Sequence, residues 1–155
     1  MIQLAKKNIS KNSVFGFELI DHTADIGVKA YGNDLASVFE NAAKGMYAII
    51  FYESFPTIEK VGEYQISLQS SELDQLLIDW LNDLLFIFST KQIVISSFEI
   101  SIVELATGYK LEAHLFGEEI SEKLLIGIRE IKAVTYHMLS IEKIQRWQAQ
   151  VLFDI

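Results

Sequence analysis

Residues 26–50 read IGVKAYGNDLASVFENAAKGMYAII, and within them the hydrophobic pattern changes its period. Apolar side chains alternate from Ile26 to Tyr31, which predicts a strand. Gly32-Asn33-Asp34 ends that strand and offers an N-cap for a helix. The following apolar residues recur every three or four positions and predict an amphipathic helix, with a buried face made of Leu35, Val38, Phe39, Ala42, Ala43, Met46 and Ile49 or Ile50.

The same two patterns continue on both sides of this stretch. A second amphipathic helix is predicted from Leu73 to Phe88, after Ser71-Glu72-Leu73-Asp74, which resembles a capping box. Alternating residues predict strands at 17–20, 61–68, 93–95 with 98–105, 109–116, a strand pair at 131–136 and 138–144, and 147–153. Two helices among about seven strands predict an α+β fold in a single domain, with both helices packed on mainly antiparallel sheet.

The composition excludes several classes of protein. The chain has 155 residues, half of them hydrophobic, with one proline and no cysteine. The hydrophobic content disfavours disorder, and the absence of cysteine excludes disulfides and thiolate chemistry. No apolar run reaches the roughly 18 residues of a membrane span. The net charge of −8 favours a basic protein surface or a metal ion as partner over direct binding of nucleic acid. We expect a cytoplasmic protein.

The densest cluster of acid and ligand side chains is Asp21-His22-Thr23-Ala24-Asp25-Ile26-Gly27. A second acidic place is the chain end, Val151-Leu152-Phe153-Asp154-Ile155, where Asp154 lies beside the terminal carboxylate. Taken alone, Asp25 is more simply a turn acid that binds local amides. If the fold joins the two places, their oxygens need a cation, and oxygen ligands favour calcium, with magnesium or another divalent ion as the alternative.

Four segments in the same order resemble the archease family. They are DHTADIG at 21–27, DWLNDLL at 79–85, IKAVTYH at 131–137 and WQAQVLFDI at 147–155. The resemblance implies an archease-like domain at 17–155 after an N-terminal extension at 1–16. It also implies an accessory protein of the RtcB-type RNA ligase in tRNA splicing and RNA repair. Such a protein promotes guanylylation and turnover of the ligase without being an enzyme, and so has no catalytic residues.

The resemblance further implies a calcium site formed by Asp25, Asp154 and Ile155, the last through its backbone or terminal oxygens. Behind these ligands, or in contact with the partner, we place Asp21, His22, Lys132, Tyr136 and His137. Purely structural roles stay open for two of these residues. Asp21 could be a cap, and Lys132 could be a solvent-exposed strand residue. The spacing disfavours zinc, because His22, His114 and His137 show no metal-ligand pairing. We expect His114 to be structural.

Two other functions compete with ligase activation. An independent hydrolase would use Asp25 and His22 as acid and base around the cation, but the chain has no nucleophile elbow or phosphate loop. The resemblance to archeases also brings two alternative functions, a chaperone-like binding module and a modulator of tRNA methylation. A chaperone-like module needs a sizeable exposed apolar patch, whereas the pattern directs most apolar side chains to a core.

Overall fold

The computed structural model describes residues 16–52 and 60–155. Its elements, in chain order, are β1 (Phe17–Asp21), β2 (Asp25–Gly32), α1 (Leu35–Ile50), β3 (Lys60–Ser70), α2 (Leu73–Lys91), β4 (Ile93–Leu105), β5 (Gly108–Glu119), α3 (Glu122–Leu125), β6 (Ala133–Ile144) and β7 (Arg146–Asp154). Every strand pair is antiparallel, so the predicted α+β class with two long helices is confirmed. The division at residue 16 stays a prediction, because residues 1–15 lie outside the described part.

The chain divides into two compact units, of which the first contains residues up to 55 and from 129 onward. Its sheet has the order β1-β2-β7-β6. Helix α1 covers one face so closely that a Cβ on Gly45 would lie 2.5 Å from Val28 Cγ1. Asp34 caps the helix as predicted, since the Ser37 N–H donates to Asp34 Oδ1 at 2.7 Å. The core-facing positions are Ile26, Val28, Ala30, Ala149, Val151 and Phe153, all buried.

The prediction of two paired strands at 131–136 and 138–144 is wrong. These residues belong to the single strand β6, and both of its halves pair with β7. The register jumps from Thr135 opposite Leu152 to Ser140 opposite Gln150, so residues 136–139 together oppose only Val151. A bulge breaks the alternation of side chains in the same way as a turn does, and the hydrophobic pattern alone does not distinguish them.

The second unit spans residues 56–128 and contains a sheet of order β3-β5-β4 with α2 on one face. Most of the apolar stripe of α2 is buried as predicted, whereas Leu73 and Leu85 at its margins are half-buried. Trp80 packs at a ring-centroid distance of 6.2 Å from Phe98. The predicted capping box is wrong. The N-cap is Glu72 and not Ser71, and its side chain makes no cap hydrogen bond. The Glu72 N–H donates to Ser70 Oγ at 3.3 Å. No helix in the described ranges is long and apolar enough to cross a membrane.

Asp79 and Asp83 lie one turn apart on the outer side of α2, where their like charges repel each other. Burial raises the pKa of the half-buried Asp83 carboxyl, and the charge of Asp79 adds to the effect. A raised folded-state pKa means that the ionised carboxylate opposes folding at neutral pH. We therefore expect Asp83→Asn to raise the free energy of unfolding at pH 7 by about 0.2–0.5 kcal/mol after solvent screening. Urea unfolding measures this gain, which should vanish as the pH falls through the raised pKa and the wild-type carboxyl protonates.

Asp34 supplies a control of opposite sign for that experiment. Hydrogen bonds from Ser37 lower the pKa of Asp34, so its stabilising contribution is present at neutral pH and is lost as the pH falls through that lowered pKa. Asp34→Ala should lower the free energy of unfolding at pH 7 by about 1 kcal/mol. If Asp83→Asn also destabilised the protein at pH 7, the account of the α2 acid pair would be incorrect.

Candidate functional site

The motif at 21–27 and the segment at 151–155 meet in the sheet of the first unit. Asp25, the first residue of β2, pairs directly with Asp154, the last residue of β7. Residues directly opposite in an antiparallel pair project from the same face, with Cβ atoms about 4.5–5.5 Å apart. Both acids are half-buried, and Asp154 has Ala133 opposite on its other side. The register thus places both acids at neighbouring positions on the face of the sheet that α1 does not cover.

A tight hairpin turn holds Asp25 beside His22. The His22 N–H donates to the Asp25 carbonyl at 3.2 Å, and the Asp25 N–H donates to the His22 carbonyl at 3.3 Å. This exchange leaves only Thr23-Ala24 as the connection between β1 and β2. His22 Nδ1 lies 3.6 Å from Asp25 Oδ2, with the two side chains 35% and 21% exposed. That distance is too long for a good hydrogen bond, but it places the imidazole at the edge of the acid pair.

His137 lies against the opposite side of this arrangement. Its ring centroid is 5.6 Å from that of His22, with 62° between the ring planes, which is an edge-to-face contact. His137 comes from β6, whereas His22 follows β1 at the other edge of the sheet. The two imidazoles therefore connect both edge strands across the end that carries Asp25 and Asp154.

The main chain around Asp154 is fixed by a further bond. The Lys132 N–H donates to the Asp154 carbonyl at 2.7 Å, and the β2 and β6 ladders hold the same residue on both sides. Ile155 is the next residue after Asp154 in the chain and is half-buried. Its main-chain oxygens are therefore adjacent in sequence to one of the two acids. The Lys132 side chain is exposed at the rim.

Asp21 lies on the other face of the sheet from the acid pair. Asp21 pairs with Ile26, one position before the His22–Asp25 pair, so alternation directs it to the opposite face from Asp25. Tyr136 is 61% exposed beside His137. The structure thus brings Asp25, Asp154, Ile155, His22 and His137 together, while Lys132 approaches through its main chain. The roles assigned to all these residues stay predictions.

The donor chemistry decides which metal these residues fit. No three His, Asp or Glu side chains within the described residues group as a metal site would require. What remains is a pair of carboxylates supplemented by the main-chain oxygen of Ile155, a set of hard oxygens only. Calcium or magnesium accepts such ligands and completes its coordination with water, whereas zinc prefers nitrogen and sulfur. The residues therefore fit a hard divalent cation.

Sequence reasoning missed two residues that shape this end of the sheet. Gln150 Nε2 donates to the Met138 carbonyl at 3.0 Å, and Met138 has a φ of 55°. Neither residue lies at a position that the predicted site included. The signal that could have found them is the broken alternation at His137-Met138, which favours a turn between two strands as readily as a bulge.

His114 belongs to a different polar cluster, in the second unit. Its Nε2 lies 3.0 Å from Glu63 Oε2 and its Nδ1 lies 3.5 Å from Glu99 Oε2, so three adjacent strands are linked through one ring. Glu99 and His114 border an open groove of about 450 Å³ on the uncovered face of the sheet. The two carboxylates approach opposite ring nitrogens and do not converge on one point, which agrees with a structural role.

Comparison with known proteins identifies the family. The family model described as the Archease protein family (MTH1598/TM1083) matches residues 17–155. The chain is 40% identical over 141 residues to protein archease of Methanosarcina barkeri, covering 90% of this chain and 95% of that protein. It is also 40% identical over 144 residues to protein archease of Methanothermobacter thermautotrophicus, covering 90% and 99%.

A solved structure supports the same assignment. The solution structure of Methanobacterium thermoautotrophicum protein 1598 matches with a TM-score of 0.75 at 40% identity, covering 91% of this chain and 99% of that one. The sequence match and the shared fold agree with each other. The chain belongs to the archease protein family.

Proposed function

We propose that this chain is a cation-binding accessory protein that activates an RtcB-type RNA ligase. In this proposal it binds calcium, or another hard divalent cation, at Asp25, Asp154 and Ile155. It promotes guanylylation of the ligase and thereby its repeated turnover in tRNA splicing and RNA repair. It acts in the cytoplasm, has no catalytic residue of its own, and contacts RNA only indirectly through the ligase. Membership of the archease family supports an accessory role.

The observation that carries the proposal is the pairing of Asp25 with Asp154. Like charges directly opposite each other in a sheet are destabilising, and such a pair is relieved when a cation lies between the carboxylates. No Lys or Arg side chain within the described residues forms an ion pair with either acid. A divalent cation would supply the missing positive charge and would hold the end of β7 against the start of β2.

The surrounding residues suggest how the site meets its partner. His22 and His137 border the acid pair from both edges of the sheet, and Lys132 offers an exposed ammonium at its rim. These groups can contact the ligase or a nucleotide phosphate held by it. The net charge of −8 disfavours RNA as the direct partner and favours a basic protein surface.

The test is a guanylylation assay with purified RtcB-type ligase, labelled GTP and calcium. Wild-type protein should raise both the rate and the number of turnovers, because it acts on the ligase rather than on RNA. Asp25→Asn should reduce stimulation nearly to the level of the ligase alone. Glu142→Gln is the matched control, since it removes one negative charge from an exposed position of the same sheet and should stimulate normally.

Two results would contradict the proposal. One is an absence of stimulation by the wild-type chain, and the other is normal stimulation by both Asp25→Asn and Asp154→Asn. Suppression of aggregation of unrelated proteins, with no effect on the ligase, would instead favour the chaperone-like function. An altered pattern of tRNA methylation would favour the remaining alternative.

A further inference from the structure

The four residues Tyr136-His137-Met138-Leu139, named here the β6 bulge, leave the ladder of the sheet. On β7 only Val151 lies opposite them, between Leu152 and Gln150. β6 is also one of the two edge strands of this sheet, whose order is β1-β2-β7-β6. Bulges of this kind redirect side chains and are frequent at strand edges and beside functional sites. The β6 bulge therefore projects side chains that a regular edge strand would not present.

The β6 bulge is held in its shape by specific bonds. Met138 has a φ of 55°, a left-handed backbone conformation that non-glycine residues rarely adopt. The side chain of Gln150 reaches across from β7, and its Nε2 donates to the Met138 carbonyl at 3.0 Å. Just before the bulge, Thr135 Oγ1 donates to the Leu152 carbonyl at 3.0 Å. A strained backbone conformation persists only where the surrounding contacts hold it in place. The bonds from Gln150 and Thr135 therefore indicate that the bulge has one fixed conformation.

The side chains that the bulge presents are large and apolar. Tyr136 is 61% exposed and Met138 is 53% exposed. Aromatic residues and methionine are enriched in protein–protein interfaces relative to the rest of the surface. Met138 in particular combines an exposed apolar side chain with a backbone that is held in an unfavourable conformation. Nothing in the cation site requires that combination.

The β6 bulge is continuous with the acid pair. His137 lies between Tyr136 and Met138 in the chain, and its ring contacts His22, which borders Asp25. An apolar contact and an acidic contact are therefore adjacent on one end of the first unit. A partner that covers both needs an apolar cleft with basic groups beside it.

We propose that the β6 bulge is the element by which this chain docks onto the ligase. Tyr136 and Met138 enter an apolar cleft of the ligase, and basic groups at the rim of that cleft face the acid pair. The inference rests on the proposed function, for which it supplies the contact surface. RNA is the less suitable occupant because the chain carries a net charge of −8. A second copy is also less suitable, since it would bring two acid pairs together and a bulged edge resists strand pairing.

The test compares single substitutions on one strand by their equilibrium affinity for purified ligase. Met138→Ser and Tyr136→Ser should each weaken ligase binding about tenfold or more. Ile144→Ser is the matched control, because Ile144 is 56% exposed on the same strand but lies outside the bulge. It should bind the ligase with wild-type affinity. Calcium affinity and the thermal midpoint should stay unchanged in Met138→Ser and Ile144→Ser.

A second pair of variants tests the shape of the bulge without removing its apolar side chains. Gln150→Leu deletes the bond to the Met138 carbonyl and should also weaken ligase binding, whereas Tyr136 and Met138 remain. Its control is Gln148→Leu, two residues away on the same face of β7, where the glutamine binds Glu142 at 3.4 Å. Gln148→Leu should bind the ligase normally.

Wild-type affinity in Met138→Ser and Tyr136→Ser would overturn the docking proposal, and so would an equal loss in Ile144→Ser. It would also be overturned if these variants changed RNA binding or self-association instead, or if the wild-type chain did not bind the ligase. Failure of the proposed function gives a different result. The wild-type chain would then bind the ligase through the bulge and yet leave its guanylylation unchanged.

Discussion

Asp25→Asn and Asp154→Asn are each expected to weaken calcium binding by about 100-fold. Loss of residues that only support metal ligands typically reduces affinity by about 10–100-fold, and direct loss of a charged ligand belongs at the upper end of that range. The amide keeps the size of the side chain and one oxygen but removes the negative charge that a hard cation requires. Calorimetric titration of the purified protein with calcium measures the effect.

The same substitutions should have opposite effects on stability with and without the cation. Without calcium, removing one of two opposed carboxylates relieves like-charge repulsion, so either variant should be more stable than wild type by about 0.2–1 kcal/mol. With calcium in large excess, wild type gains the binding free energy, about 2.7 kcal/mol at a concentration 100 times the dissociation constant. The order of the thermal midpoints should therefore reverse when calcium is added.

Glu142→Gln separates this local effect from the general loss of one acidic charge. Glu142 lies on the same face of the sheet, opposite Gln148, and it is exposed. It should bind calcium nearly as wild type does, and its midpoint should rise with calcium by the wild-type amount. If Glu142→Gln and Asp25→Asn weakened calcium binding equally, calcium affinity would depend on the overall charge of the protein and not on a defined site.

The helix α1 and the strand before it could be predicted from sequence because the information is local. The alternation from Ile26 to Tyr31, the N-cap at Asp34 and the stripe through Met46 each depend on neighbours a few residues away. The position of β7 beside β2 is different. Alternation predicts that 147–153 is a strand, but it does not identify the strand with which it pairs, and here the partner begins at Asp25.

The candidate site shows the same division between local and non-local information. The motif at 21–27 identified the acids and the imidazole, and the resemblance to archeases associated them with Asp154. Which acid faces the site depends on register, because the His22–Asp25 exchange puts Asp25 on one face and the preceding Asp21–Ile26 pair on the other. The β6 bulge was missed because a run of residues left out of a ladder resembles a turn in its hydrophobic pattern.

Phe153→Ala is expected to lower the free energy of unfolding by about 3–5 kcal/mol. Phe153 is fully buried, between Ile26 on β2 and Val134 on β6, and it immediately precedes Asp154. The truncation would leave a cavity beneath the end of β7, which carries Asp154. For a chain of this size the thermal midpoint should fall by about 10 °C, measured by circular dichroism.

Trp80→Ala provides the comparison that separates stability from site geometry. Trp80 is also fully buried, but it belongs to α2 in the second unit, and its loss should destabilise the protein by a similar amount. Phe153→Ala should in addition weaken calcium binding, because the end of β7 loses the packing that sets the position of Asp154 against Asp25. Trp80→Ala should leave calcium affinity unchanged at temperatures where it is folded. Equal calcium affinity in the two folded variants would show that the β2 and β6 ladders alone position Asp154, without help from the core beneath it.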